Sequence, residues 1–239
     1  MKCLVCGRWH WRVDFVICKA CLDSIPLKLS TRKLTDSIYA YSFYAYSDVS
    51  LLMQSKYQLI GSRVLNLLAH KAAAYFFTHI DFADFTQRVG LVGLDDHPYG
   101  AYSHTGVILR AFEAESKGRC QGAYGALKAK NTTKYAGESL AFRQNNPKGF
   151  YLTRNISYPL VVLVDDIITT GTSLREAISV FSAFDVENES RVESKVTLDS
   201  KFATKSLESK VCHSTLKVVS HIKALYFYQA IPYFHSLQE

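Results

Sequence analysis

Two adjacent carboxylates followed by a run of hydroxyls carry the plainest chemistry in this chain. Asp165 and Asp166 stand directly before Ile167-Ile168-Thr169-Thr170-Gly171-Thr172-Ser173. The acids can accept hydrogen bonds from ribose hydroxyls, and the small threonine-rich turn can offer N–H and O–H donors to a phosphate. Together they suit a sugar phosphate better than a nucleoside triphosphate. Leu160-Val161-Val162-Leu163-Val164 before them is an unbroken apolar run, too short to cross a membrane. It reads as a parallel strand buried on both faces. Leu174-Arg175-Glu176-Ala177-Ile178 opens a helix, so the turn lies where a strand's carboxyl end meets a helix N-terminus. Two plainer readings compete. A Walker-B strand holding Mg²⁺ would need a G-x-x-x-x-G-K-[ST] loop, which the sequence does not contain. The acids could also simply end a strand and solvate its turn.

A second chemistry stands at the N-terminus. Cys3-Leu-Val-Cys6 and Cys18-Lys-Ala-Cys21 are two C-x-x-C pairs separated by eleven residues. Each pair can place two thiolates on one metal, and the two together complete a closed tetrahedral zinc site with no position left for catalysis. Two disulfides are the competing reading, disfavoured because no signal peptide precedes Cys3. Cys120 and Cys212 match no such pattern and read as ordinary thiols.

Composition frames both signals. The 239 residues are 48% hydrophobic, enough for one good-sized domain and a small appendage. No apolar stretch approaches the roughly eighteen residues needed to span a bilayer, so a soluble, cytoplasmic protein is expected. The net charge of +7 is concentrated. Lys117, Arg119, Lys128, Lys130, Lys134, Arg143, Lys148 and Arg154 face Glu138 alone between 117 and 154, and the rest of the chain sums to zero.

Strands alternate with helices along the chain, which predicts an α/β fold with a mainly parallel sheet and helices on both faces. Residues 1–33 form the zinc-binding module and a basic linker; 34–239 form the main domain, with 185–215 a polar insertion. Ser37 to Tyr46 predicts a strand pair, and Val49 to Tyr57 and Ser62 to Phe77 predict helices. Arg88 to Leu94 predicts a short buried strand, and Ser103 caps a helix reaching about Glu115. Gly122, Gly125 and Gly137 mark flexibility in the basic segment. Strands follow at Lys148 to Leu152 and Leu160 to Val164, then a helix from Ser173 to Phe184 and an aromatic strand from Ile222 to Ile231.

The stretch from Leu160 to Ser173 resembles the phosphoribosyl-pyrophosphate (PRPP) signature of type I phosphoribosyltransferases. With the zinc knuckles ahead of it, the whole chain resembles the ComF/ComFC family of competence proteins. Ser55-Lys56-Tyr57 with Leu65 to Ala69, and Leu127-Lys128 with Arg143-Gln144-Asn145-Asn146-Pro147-Lys148-Gly149-Phe150, are similar to further segments of that family. The resemblance implies a type I phosphoribosyltransferase-like domain and a zinc module. It also implies a role in natural transformation, handling incoming single-stranded DNA alongside other competence proteins. Asp165, Asp166, Thr169, Thr170, Gly171 and Thr172 would hold PRPP, with Mg²⁺ accompanying the diphosphate. The alternative is an active phosphoribosyltransferase acting on a nucleobase or another acceptor.

Two regions bear on that choice. Asp95, Asp96 and His97 occupy the position of a pyrophosphate loop, where two carboxylates would repel pyrophosphate unless Mg²⁺ bridges them. His97 also reads as a surface histidine. The family's arginine-glycine-phenylalanine-asparagine element is replaced by Ala101-Tyr102-Ser103-His104-Thr105. In the basic arm, Tyr124, Tyr135, Phe142, Phe150 and Tyr151 are interleaved with the cations, as single-stranded nucleic acid requires. Lys128, Lys130, Lys134, Arg143 and Lys148 are the candidate DNA contacts there. Lys2, Arg8, Arg12 and Lys19 flank Trp9, His10 and Trp11 in the cysteine module, and Arg8 and Arg12 join the candidate list. For any single residue a solvated charge or a core aromatic is the plainer reading.

Overall fold

The computed structural model describes residues 1–11, 15–35, 38–79, 88–98, 100–131, 139–158 and 160–182, together with the backbone of 224–225. After the second cysteine pair the chain enters helix α1 (Lys19–Ser24). Strands β1 (Ser30–Lys33) and β2 (Tyr39–Ser42) then pair antiparallel, with Thr31 opposite Tyr41. The expected basic linker therefore contains a strand, and the tyrosine-rich stretch supplies one strand where two were expected. Ser30-Thr31-Arg32-Lys33 is polar throughout, which suits the sheet edge it occupies.

Helix α2 (Tyr46–Gln54), a 3₁₀ turn over Ser55–Tyr57 and helix α3 (Leu59–His79) follow. Strand β3 (Val89–Gly93) leads to helix α4 (His104–Glu115), whose N-cap Ser103 accepts a hydrogen bond from the Gly106 N–H at 3.0 Å. The basic segment holds β4 (Cys120–Gly122), β5 (Leu127–Ala129), α5 (Leu140–Asn145) and β6 (Phe150–Leu152). Strand β7 (Leu160–Val164) is followed by helix α6, described over 172–182. Strand β8 (Ala224–Leu225) lies parallel to β2. Residues 185–215 and most of the expected Ile222–Ile231 strand lie outside the described residues.

The chain is thus mixed α/β, with β4, β3 and β7 forming a three-stranded parallel sheet. Its centre obeys the strand period of two. Val89, Leu91, Leu160, Val162 and Val164 pack with Val64, Leu68, Phe76, Ile108 and Phe112 of α3 and α4. Val92 and Leu163 point the other way, into a second cluster with Leu127, Phe150, Leu174, Ala177 and Phe181. Burial on both faces explains why β7 is apolar at every position. The register sets Gly93 of β3 beside Val164 of β7, so both strands end together and their following loops share one rim.

Candidate functional site

Asp165 and Asp166 leave β7 at that rim. Lys56 Nζ reaches Asp166 Oδ2 at 2.7 Å, with side chains only 12% and 13% exposed. The lysine comes from the 3₁₀ turn, which is held against the start of α3 by close packing. A Cβ at Gly61 would lie 2.2 Å from the Ser55 carbonyl oxygen and 2.6 Å from Lys56 Cα, so only glycine fits there. The Tyr102 hydroxyl donates to the Lys56 carbonyl, tying the turn to the approach of α4. His104, in the first turn of α4, places Nδ1 3.5 Å from the same Asp166 oxygen.

These neighbours drive the two acids apart. Burial pushes Asp165 up, and the charge of Asp166 pushes it further, to about 8. Burial alone would also raise Asp166, but the Lys56 charge and the His104 hydrogen bond outweigh it and hold that carboxyl well below the usual range. Burial likewise opposes the charge on Lys56, and pairing with Asp166 overcomes it, raising the ammonium above its ordinary value. The rim therefore holds two carboxyls of opposite tendency, Asp165 toward the protonated donor form and Asp166 toward the ionised acceptor.

The hydroxyl-rich turn is encircled by arginines. Arg32 of β1 donates to the Thr169 carbonyl at 2.5 Å, and Arg143 of α5 donates to the Thr169 hydroxyl. Arg175 of α6 donates to the Thr170 carbonyl at 3.1 Å and to the Leu34 carbonyl at 3.2 Å. Thr170 and Thr172 share a hydrogen bond between their hydroxyls at 2.8 Å. Gly171 takes φ +78°, a left-handed conformation that turns the chain into α6. Glu176 accepts from the Lys148 and Gly149 N–H groups at 3.0 and 2.5 Å, docking the entry to β6 on α6. Three guanidinium groups thus bond the turn itself, and their charge and the positive end of α6 make its surroundings favourable to an anion.

The other predicted residues fall in distinct places. Asp96 is buried and accepts from the Ser103 hydroxyl at 2.5 Å and the Gly125 N–H at 2.6 Å. Asp95, at φ +49°, accepts from the Ala129 N–H at 3.0 Å. Both carboxylates bind the end of β3 to its neighbours, and His97 is exposed. Arg143 is buried beneath Thr169, which takes it off the open face of the basic arm. Lys130 is exposed and lies over the Tyr151 ring at 5.9 Å; Lys128 and Lys148 are half-buried. Arg8 is exposed, while Arg12 and Lys134 lie outside the described residues. Sequence reasoning placed neither Lys56 nor His104 in the site, nor Arg32 and Arg175 at the turn. Lys56 stood in a noted lysine-tyrosine stretch, but nothing local couples it to an acid 110 positions away.

The four N-terminal thiols converge. Cys3, Cys6, Cys18 and Cys21 have sulfur atoms all within 4.8 Å of one another, and Cys6 and Cys18 are 3.8 Å apart. Tetrahedral Zn–S bonds of about 2.3 Å give an S···S edge of about 3.8 Å, so the donor set and spacing fit a metal. Cys3 Sγ also accepts from the Cys18 and Val5 N–H groups at 3.3 and 3.4 Å. Burial opposes a charge on Cys3, but these backbone donors outweigh it and lower the thiol to about 6. Lys71 of α3 docks the cluster on the main body, donating to the Leu22 and Ile25 carbonyls at 2.6 Å each. Among the described residues no helix is long and apolar enough to cross a membrane.

Compared with protein-family models and with curated proteins, the chain matches none.

Proposed function

We propose that the chain binds PRPP or a related sugar phosphate, and that it is a ComF/ComFC-type competence protein. One observation carries the sugar-phosphate reading. An acid pair suited to ribose hydroxyls ends β7 directly beside a hydroxyl-rich turn on which Arg32, Arg143 and Arg175 converge. Asp165 and Asp166 would take the ribose, and Thr169 to Thr172 the 5′-phosphate. Mg²⁺ would arrive on the diphosphate, since Asp166 already carries Lys56 and Asp96 is engaged internally. The four cysteines would hold a structural zinc ion.

PRPP with Mg²⁺ should raise the melting temperature, by a shift equivalent to about 2.7 kcal/mol at a hundredfold excess over Kd. No shift at millimolar PRPP would refute the reading. Pyrophosphate release on adding a nucleobase would favour an active transferase.

Handling single-stranded DNA rests on the family resemblance and on exposed aromatics beside cations. Trp9 and Trp11 are 75% and 100% exposed, with Lys2 lying 5.7 Å from the Trp9 ring centroid. Tyr124 and Tyr151 are exposed on the basic arm. Because the chain has two tryptophans, both in the cysteine module, oligothymidylate should quench intrinsic fluorescence. Affinity should fall by about 0.7 log units per contacted phosphate per decade of salt. Salt-independent or absent binding would remove the DNA half of the proposal and leave the PRPP half standing.

A further inference from the structure

His104 belongs to neither the acid pair nor the threonine turn, yet it stands directly against the acid pair. Its imidazole contacts two tyrosine rings, Tyr57 edge-on at 5.4 Å and Tyr102 tilted at 5.1 Å between centroids. Tyr102 is fixed through its hydroxyl to Lys56, and Tyr57, 60% exposed, has the Lys56 ammonium over its ring at 5.1 Å. Nδ1 faces Asp166 Oδ2 at 3.5 Å. Nε2 is buried and has no hydrogen-bond partner among the described residues. Buried polar atoms are almost always satisfied, so an open one beside a ligand site calls for a partner that binds there.

The pairing also determines what Nε2 can do. A carboxylate beside one imidazole nitrogen keeps the proton on that nitrogen and leaves the other as an acceptor. Asp166 is held ionised by Lys56 at 2.7 Å, so it draws the His104 proton to Nδ1. With the proton on Nδ1, Nε2 is the ring's lone-pair acceptor, on an imidazole that stands beside the carboxyls that would take a ribose.

We propose that His104 Nε2 accepts a hydrogen bond from one sugar hydroxyl of the bound ligand, making His104 a ligand-binding residue that favours a hydroxylated sugar over a bare phosphate. The inference rests on the sugar-phosphate reading above. Lys56 and Asp166 act as positioning residues: one holds the carboxylate ionised, the other orients the ring.

Isothermal titration with ribose 5-phosphate and with inorganic phosphate tests it on the full chain. His104→Asn keeps a donor toward Asp166 but has no atom at the Nε2 position. Its affinity for ribose 5-phosphate should fall roughly tenfold, the order of one lost hydrogen bond, with phosphate affinity unchanged. His104→Gln, whose amide reaches further, should recover part of the loss. Nitrogen-15 NMR of the free protein should show the proton on Nδ1. Equal affinity of wild type and His104→Asn for ribose 5-phosphate would overturn the role of His104 alone, as would a proton on Nε2. Equal loss toward both probes would make His104 merely structural. Failure of wild type to bind ribose 5-phosphate would overturn the sugar-phosphate reading and this inference with it.

Discussion

Lys56 Nζ lies 2.7 Å from Asp166 Oδ2, joining residues 110 positions apart into a pair that is seven-eighths buried. Removing one member of such a pair leaves the other charge buried and uncompensated, at a cost of about 3–5 kcal/mol. Asp166→Asn is therefore expected to destabilise the free protein by that amount in urea. Lys56→Met combined with Asp166→Asn should cost less than the sum of the single changes. Additive losses would show that the two side chains do not form a pair in solution.

Asp165 makes a prediction of opposite sign. Its folded pKa is raised to about 8 by burial first and the Asp166 charge second. A carboxyl raised on folding contributes most stability at low pH, and that contribution declines as pH rises from its unfolded value toward the folded one. The neutral Asp165→Asn variant should lack this decline. Its stability relative to wild type should therefore increase between about pH 4 and about pH 8 and level off above. A constant difference across that window would mean that Asp165 ionises normally.

The sequence made the local parts of this architecture legible and left the assembly hidden. Strand β7 announces itself because burial on both faces removes every polar residue from it. Ser103 announces α4 because an N-cap needs a side-chain oxygen, and Ser62 to Phe77 carries the apolar stripe of α3. Strand β1 gave no such signal, since an edge strand tolerates Arg32 and Lys33. The same edge position lets Arg32 reach Thr169. Sites are assembled by pairings such as Lys56 with Asp166 and Arg143 with Thr169, and no short-range periodicity records which distant side chains will meet. Asp95 and Asp96 illustrate the converse. As sequence they look like a ligand loop, yet their acceptors are taken up by Ala129, Ser103 and Gly125.

Arg143 distinguishes the two proposed binding roles. It is buried and donates to the Thr169 hydroxyl, so it supports the turn and does not face the solvent beside Lys130. Arg143→Leu should weaken PRPP binding at least tenfold, in line with the loss of a charge-assisted hydrogen bond. The salt slope of single-stranded DNA binding should not change, because no exposed cation is lost. A reduced slope with PRPP affinity intact would place Arg143 on the DNA path instead.

If the four cysteines hold a metal as proposed, the module should fold only when that metal is bound. Cys3 to Cys21 is too short a segment to bury a core of its own, and without a cation nothing draws its four thiols onto one centre. Chelation, or Cys6→Ser, should release the module from the Lys71 anchor while α3, α4 and the parallel sheet remain. Both tryptophans report the change, since they lie in this segment and nowhere else. Fluorescence anisotropy should drop on chelation and return with one equivalent of Zn²⁺, and helical circular dichroism should stay close to its starting value. Unchanged anisotropy after complete metal removal would show that the module is held by Lys71 and the apolar contacts of Val16 and Ile17 alone.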